Sequence, residues 1–127
     1  MNTLDVLAII HEDTKWTVTV EHLEAAMTAS SRMITDTDRM SFVYLIENGD
    51  QYTYLHFDYK DWGALSLIAK EPGPVFLSDG SHKIELLDFN NELTMLLTNI
   101  EGNDNYGQHF IEEVEKTFKT FYEKTEE

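Results

Sequence analysis

The chain has 127 residues, 24 of them acidic and nine basic, for a formal charge of −15, and it contains no cysteine. Disulfides, thiolate metal sites and cysteine nucleophiles are thereby excluded, and the acidity repels phosphate backbones and anionic headgroups, so no direct nucleic-acid or membrane partner is expected. An apolar share of 42%, with seven Phe, six Tyr and two Trp, suffices for one core, so residues 1–127 read as a single α+β domain.

Near the start, residues 1–5 carry no basic stretch and the aliphatic run at 7–10 is short, so neither a signal peptide nor a membrane span is expected. Together with the missing cysteine this assigns the chain to the cytoplasm. Residues 5–12 and 16–20 flank the polar Glu12-Asp13-Thr14-Lys15 and read as a hairpin. In residues 21–31 Leu23, Ala26 and Met27 have helical spacing, but Thr28-Ala29-Ser30-Ser31 is a poor helix former, so a short helix or loop is expected.

Residues 41–47 and 51–57 flank Asn48-Gly49, a pair suited to a type I′ hairpin turn. With Asn48 and Gly49 as the loop, Leu45 pairs with Tyr52, Tyr44 with Thr53 and Val43 with Tyr54. One face then carries Phe42, Tyr44, Ile46, Leu55 and Phe57; the other carries Val43, Leu45, Tyr52 and Tyr54. Two apolar faces call for cover on both sides, from helices, another sheet or a second subunit.

Asp58 or Asp61 is placed to cap the next segment, in which Trp62, Leu65, Ile68 and Ala69 fall at helical spacing before Glu71-Pro72-Gly73-Pro74 ends it. A second hairpin is expected from residues 75–77 and 82–87, with Asp79-Gly80 as its turn. Phe89, Leu93, Leu96, Leu97 and Ile100 form one helical stripe, and Phe110, Ile111, Val114, Phe118 and Phe121 another. The expected architecture is about six strands in antiparallel hairpins packed with about three helices, the two longest at the C-terminus, and an acidic tail frayed over residues 123–127.

Tests for chemistry return few candidates. His11, His22, His56, His82 and His109 lack the spacing of a zinc site, so no metal is expected, nor is any cofactor. His56 and His82 lie on expected strands and read as structural or surface residues, and no Ser occupies a Gly-x-Ser-x-Gly elbow. The segment Gly102-Asn-Asp-Asn-Tyr-Gly107 has the glycine spacing of a phosphate loop, but Gln108 and His109 stand where Lys and Ser/Thr are required. It reads instead as Gly102 ending one helix while Asn105 and Gln108 form a capping box for the next. Asp36 and Asp38 offer two carboxylates to a cation, but Arg39 and Met40 follow where further calcium ligands would be needed, which favours a solvated turn. Glu112 with Lys116 and Glu115 with Lys119 balance charge on the last helix, which weakens imitation of DNA.

From Met33 to about Phe118 the chain resembles a family of short uncharacterised proteins of Gram-positive bacteria of the Bacillus and Staphylococcus type. The residues that carry the likeness are Met33, Asp36-Thr-Asp38, Ser41-Phe-Val-Tyr44, Tyr52-Thr-Tyr54, Trp62, Glu92-Leu93, Asn99 through Gly107, Val114-Glu115 and Phe118. The family commonly has a His after the Phe matching Phe89, where this chain has Asn90. The resemblance implies a bacterial cytosolic protein and supplies no activity and no catalytic residue.

Three functional readings follow. The first is a non-enzymatic interaction module that self-associates, a dimer being favoured, motivated by the two-faced hairpin. The second is a small-molecule binder or weak enzyme with a pocket formed by Trp62, Asn103, Asn105 and Tyr106. The third is an acidic decoy for a basic nucleic-acid-binding protein, motivated by net charge alone.

Overall fold

The computed structural model describes residues 2–125. Among these, eight strands and four α-helices follow in the order β1 (Thr3–Asp5), β2 (Ala8–Glu12), β3 (Lys15–Thr19), β4 (Met27–Asp36), β5 (Ser41–Asn48), β6 (Gln51–Asp58), α1 (Trp62–Lys70), β7 (Val75–Ser78), β8 (Lys83–Glu85), α2 (Phe89–Ile100), α3 (Gln108–Thr117) and α4 (Lys119–Thr125). The strands make two four-stranded sheets, ordered β1-β6-β5-β4 and β2-β3-β7-β8. The α+β class is as expected, but each sheet also contains a parallel pair, β1 with β6 and β3 with β7, where only antiparallel hairpins were anticipated. Local periodicity reports which residues share a face; it carries no information on pairing between segments far apart in the chain.

The central hairpin forms one pairing step away from the Asn-Gly expectation. Asn48 faces Gln51, so Gly49 and Asp50 make the loop, and Leu45 lies opposite Tyr54 rather than Tyr52. Of the two loop residues only Gly49 takes a positive φ, +64°, as a glycine-first loop requires. Each partner moves by two residues, and because side chains alternate with period two the face assignments survive.

Residues 27–36 are a ten-residue strand, not the helix or loop expected for the first part of that stretch. Weak local propensity is overridden by pairing with β5, interrupted by a bulge between Ala29 and Met33 where Ser31 has φ +62°. The bulge is held from both sides: Ser30 Oγ donates to the Leu45 carbonyl, and the Tyr44 hydroxyl accepts the Ser31 N–H. At the β7–β8 hairpin Ser78 pairs with Lys83, so the loop has four residues rather than two. The Asp79 carboxylate organises it, accepting N–H bonds from His82 and Ser81 and, across the molecule, from Leu23. These backbone donors, His82 first, hold its carboxyl well below the usual carboxylate range.

One core joins both sheets and the helices. Phe42 touches Trp62, Phe110 and Phe118, while Tyr44 and Phe57 both touch Phe89, so α1, α2, α3 and the α3–α4 junction all lie against one face of the first sheet. Trp16 and Val18 of β3 and Val75 and Leu77 of β7 close the core from the second sheet. Gly73 is required where that sheet meets the β2–β3 turn: a Cβ there would stand 2.1 Å from the Thr14 carbonyl oxygen. The last apolar stripe is divided at Phe118, with α3 ending before it and α4 starting after it. Of the tail expected to fray, residues 123–125 continue α4, and residues 126 and 127 lie outside the described residues.

Candidate functional site

The structure does not bring the sequence candidates into one place. Trp62, 1% exposed, is a core residue: its Nε1–H donates to the Phe57 carbonyl and its ring meets Phe42, Tyr59 and Phe110 edge-on. Tyr106 stacks on the same Phe110, and its hydroxyl accepts from Asn99 Nδ2 at 2.7 Å. Asn103 caps a short 3-10 turn, Asp104–Tyr106, by accepting the Asn105 N–H at 3.1 Å. The Asn105–Gln108 capping box does not form, because α3 starts directly at Gln108 behind Gly107, whose φ is +84°. Gly102 does end α2 in the left-handed region, with φ +68°. The segment 102–107 thus satisfies backbone and side-chain groups at a helix junction, and Trp62 offers no wall to a ligand.

Asp36 has a different setting. Strand alternation places Ser41, Val43, Leu45 and Glu47 of β5 on the face of the first sheet opposite the helices, beside Ile34 and Asp36 of β4, Tyr52, Tyr54, His56 and Asp58 of β6, and Asp5 of β1. Val43 and Leu45 are only 2% and 5% exposed, yet neither belongs to the apolar cluster shared with the helices. On the same face Ile34 and Tyr52 are 40% and 39% exposed. An apolar strip therefore runs across a face that the helices leave open.

At one end of this strip is a connected polar network. Arg39, in the β4–β5 turn, grips Asp58 with two nitrogens, each 3.0 Å from a carboxylate oxygen, and also bonds Asp5. Burial alone would raise the Asp58 pKa, but bonds from Arg39 and the Ser41 hydroxyl hold it below the ordinary carboxylate value. Ser41, fully buried, is also 3.0 Å from His56 Nδ1. A serine has one proton to donate, and both the Phe42 carbonyl, 3.3 Å from Ser41 Oγ, and the Asp58 carboxylate compete for it, so the Ser41 oxygen receives the Nδ1–H of a neutral imidazole. Burial, and then Arg39, push the His56 pKa down, which keeps that ring neutral near pH 7. Its Nε2 has no hydrogen-bond partner among the described residues and retains accessible surface.

His56 lines a hollow of about 400 Å³ with Ile34, Thr35, Asp36, Thr37, Val43 and Tyr54. Asp36 lines the hollow, while Asp38 is exposed and does not. A larger hollow of about 600 Å³ runs along α2 from Met33 past Glu92 and Met95 to Asn99. There Glu92 is already engaged, accepting the Met33 N–H of the bulge at 2.9 Å. Among the described residues no group of three or more His, Asp or Glu side chains is placed to hold a metal ion, and no helix is long and apolar enough to cross a membrane. Sequence reasoning missed the Ser41–His56 pair, although both residues are on one face in either hairpin register.

Fold and site define a class, a two-sheet α+β protein whose helices cover one side of a sheet and leave the other open. Within it the chain belongs to the family described as a family of unknown function, UPF0738, which matches residues 4–118. It is 40% identical over 90 residues to a UPF0738 protein of Lysinibacillus sphaericus, covering 71% of each chain. A Staphylococcus saprophyticus relative is 36% identical over 90 residues, covering 71% of this chain and 74% of the other. A Staphylococcus aureus relative is 33% identical over 109 residues, covering 86% and 90%. No solved structure matches. The resemblance drawn from Met33 onward thus holds, and the family extends it to residue 4.

Proposed function

We propose that this protein is a non-enzymatic cytoplasmic interaction module that pairs with a second copy of itself through the open face of its first sheet. The observation that carries the reading is the position of Val43 and Leu45, buried residues of a central strand that stand outside the apolar cluster shared with the helices and face away from every helix ring in contact with the sheet. A broad, pleated apolar face is best matched by another sheet, and a second copy supplies the same strip related by a two-fold axis. The −15 charge opposes such pairing through long-range repulsion, which salt screens. The cytoplasmic setting is supported by the cysteine-free composition.

Sedimentation equilibrium tests the reading. The expected result is a monomer–dimer equilibrium that tightens as salt is added and weakens about tenfold, the equivalent of ~1.4 kcal/mol, in Tyr52→Lys. A monomer at every concentration and salt, or a dimer indifferent to Tyr52→Lys and to Leu45→Lys, overturns it. The pocket reading built on Trp62 and Asn103–Tyr106 has no geometric support and is not proposed.

A further inference from the structure

The hollow beside His56 points to a ligand class that self-association does not require. We propose that it binds a small alkylammonium ion, the nitrogen held between the Asp36 carboxylate and His56 Nε2 and the carbon chain lying against Ile34, Val43 and Tyr54. The hollow measures about 400 Å³, room for a small organic ion. His56 is a residue 6% exposed that lines the hollow, with one nitrogen bonded and the other left without a hydrogen-bond partner among the described residues.

The hydrogen-bond directions select the ligand's chemistry. Arg39 anchors Asp58, the Ser41 proton is taken up by the Phe42 carbonyl and the Asp58 carboxylate, and the Ser41 oxygen takes the His56 Nδ1–H. Nε2 is therefore an acceptor, and Asp36 adds an anionic acceptor beside it, so the two groups ask for a donor carrying positive charge. Arg39 cannot fill that role, because its guanidinium is already spent on Asp58 and Asp5. An ammonium group has three N–H donors, two for these acceptors and one for solvent or a threonine hydroxyl, Thr35 and Thr37 both lining the hollow. Tyr54 adds an aromatic face at which a cation is favoured. A carboxylate-bearing ligand would meet Asp36 and a lone pair, with no free cation to receive it.

The test is an NMR titration near neutral pH, following the imidazole nitrogens of His56 and the amides of residues 34–37, on wild type and on the Tyr52→Lys variant. Before any ligand is added, the imidazole is expected as the Nδ1–H tautomer. n-Butylammonium should shift the Nε2 resonance saturably, n-butyrate should not, and butyltrimethylammonium, which keeps the charge but has no N–H donor, should bind at least fivefold more weakly. Asp36→Asn retains the oxygen that accepts the Arg39 N–H and should weaken n-butylammonium at least tenfold, whereas Asp38→Asn, which removes the same charge outside the hollow, should change it less than twofold. An Nε2–H tautomer overturns the proposal. So do equal shifts from butyrate, or equal effects of the Asp36 and Asp38 substitutions. Loss of dimerisation with unchanged n-butylammonium binding in Tyr52→Lys would leave this site standing and bear only on the proposed pairing face.

Discussion

Alternate residues of one strand have opposite fates in this molecule. Phe42, Tyr44 and Ile46 of β5 are fully buried in a core shared with the helices. Val43 and Leu45, one step along the same backbone, are almost as buried but stand outside that shared core, and Ser41 on that side is committed to His56 and Asp58. Apolar character on both faces of a strand therefore states a demand for cover without saying what provides it. On the inner face the chain supplies its own helices; on the outer face Ile34 and Tyr52 stay 40% and 39% exposed.

Truncating the two faces separately is expected to have the largest and most unequal effects. Phe42→Ala removes a ring that meets Trp62, Phe110 and Phe118 and should cost about 3–5 kcal/mol in urea denaturation, with no change in any surviving dimer affinity. Val43→Ala on the outer face should cost about 1–2 kcal/mol at most in the monomer, and more at concentrations where copies pair. Equal losses at high dilution would show that the outer face is covered by the chain itself.

Tyr44→Phe gives an intermediate effect with a pH signature. The hydroxyl donates to the Leu87 carbonyl at 2.6 Å and accepts the Ser31 N–H at 3.1 Å, so its removal strands two backbone groups at a cost of about 1–3 kcal/mol. Burial pushes the Tyr44 pKa up to about 12 from the ordinary 10.0. A raised pKa favours the neutral form in the folded state, so this contribution is intact below pH 10 and is lost as pH rises through 12. Alkaline denaturation should be delayed in the variant relative to its own neutral-pH stability. Tyr122, also raised by burial, retains the remainder of that alkaline sensitivity. The smallest effect belongs to the exposed end of the open strip: Tyr52→Ser should change monomer stability by no more than about 0.5 kcal/mol, measured at high dilution by thermal melting.

The helical half of the fold was largely legible in sequence. The stripe from Phe89 to Ile100 and the breaker at Glu71–Pro74 depend on neighbours three or four residues apart, so periodicity and turn chemistry suffice. The central hairpin was legible in its faces but not its register, because Asn-Gly and Gly-Asp loops both follow from the same four residues and only the pairing of the whole strand decides between them. The site was far less legible. Asp36 appeared as half of an acidic pair with Asp38, and His56 as a structural residue on a strand, which is true of its Nδ1 and silent about its Nε2.

The absence of thiol chemistry, the net acidity, the α+β class and the two apolar faces of β5 are properties of composition or of residues close in the chain, and were readable there. The tertiary structure was needed to show that β1 joins β6 and β3 joins β7, that residues 27–36 form a strand, and that Trp62 is core. It alone brought Asp5, Arg39, Ser41, His56 and Asp58 together beside Asp36. These outcomes rest on contacts between distant segments, whose free energy comes from joint burial and from satisfying buried polar groups across the sheet, and no local pattern encodes either.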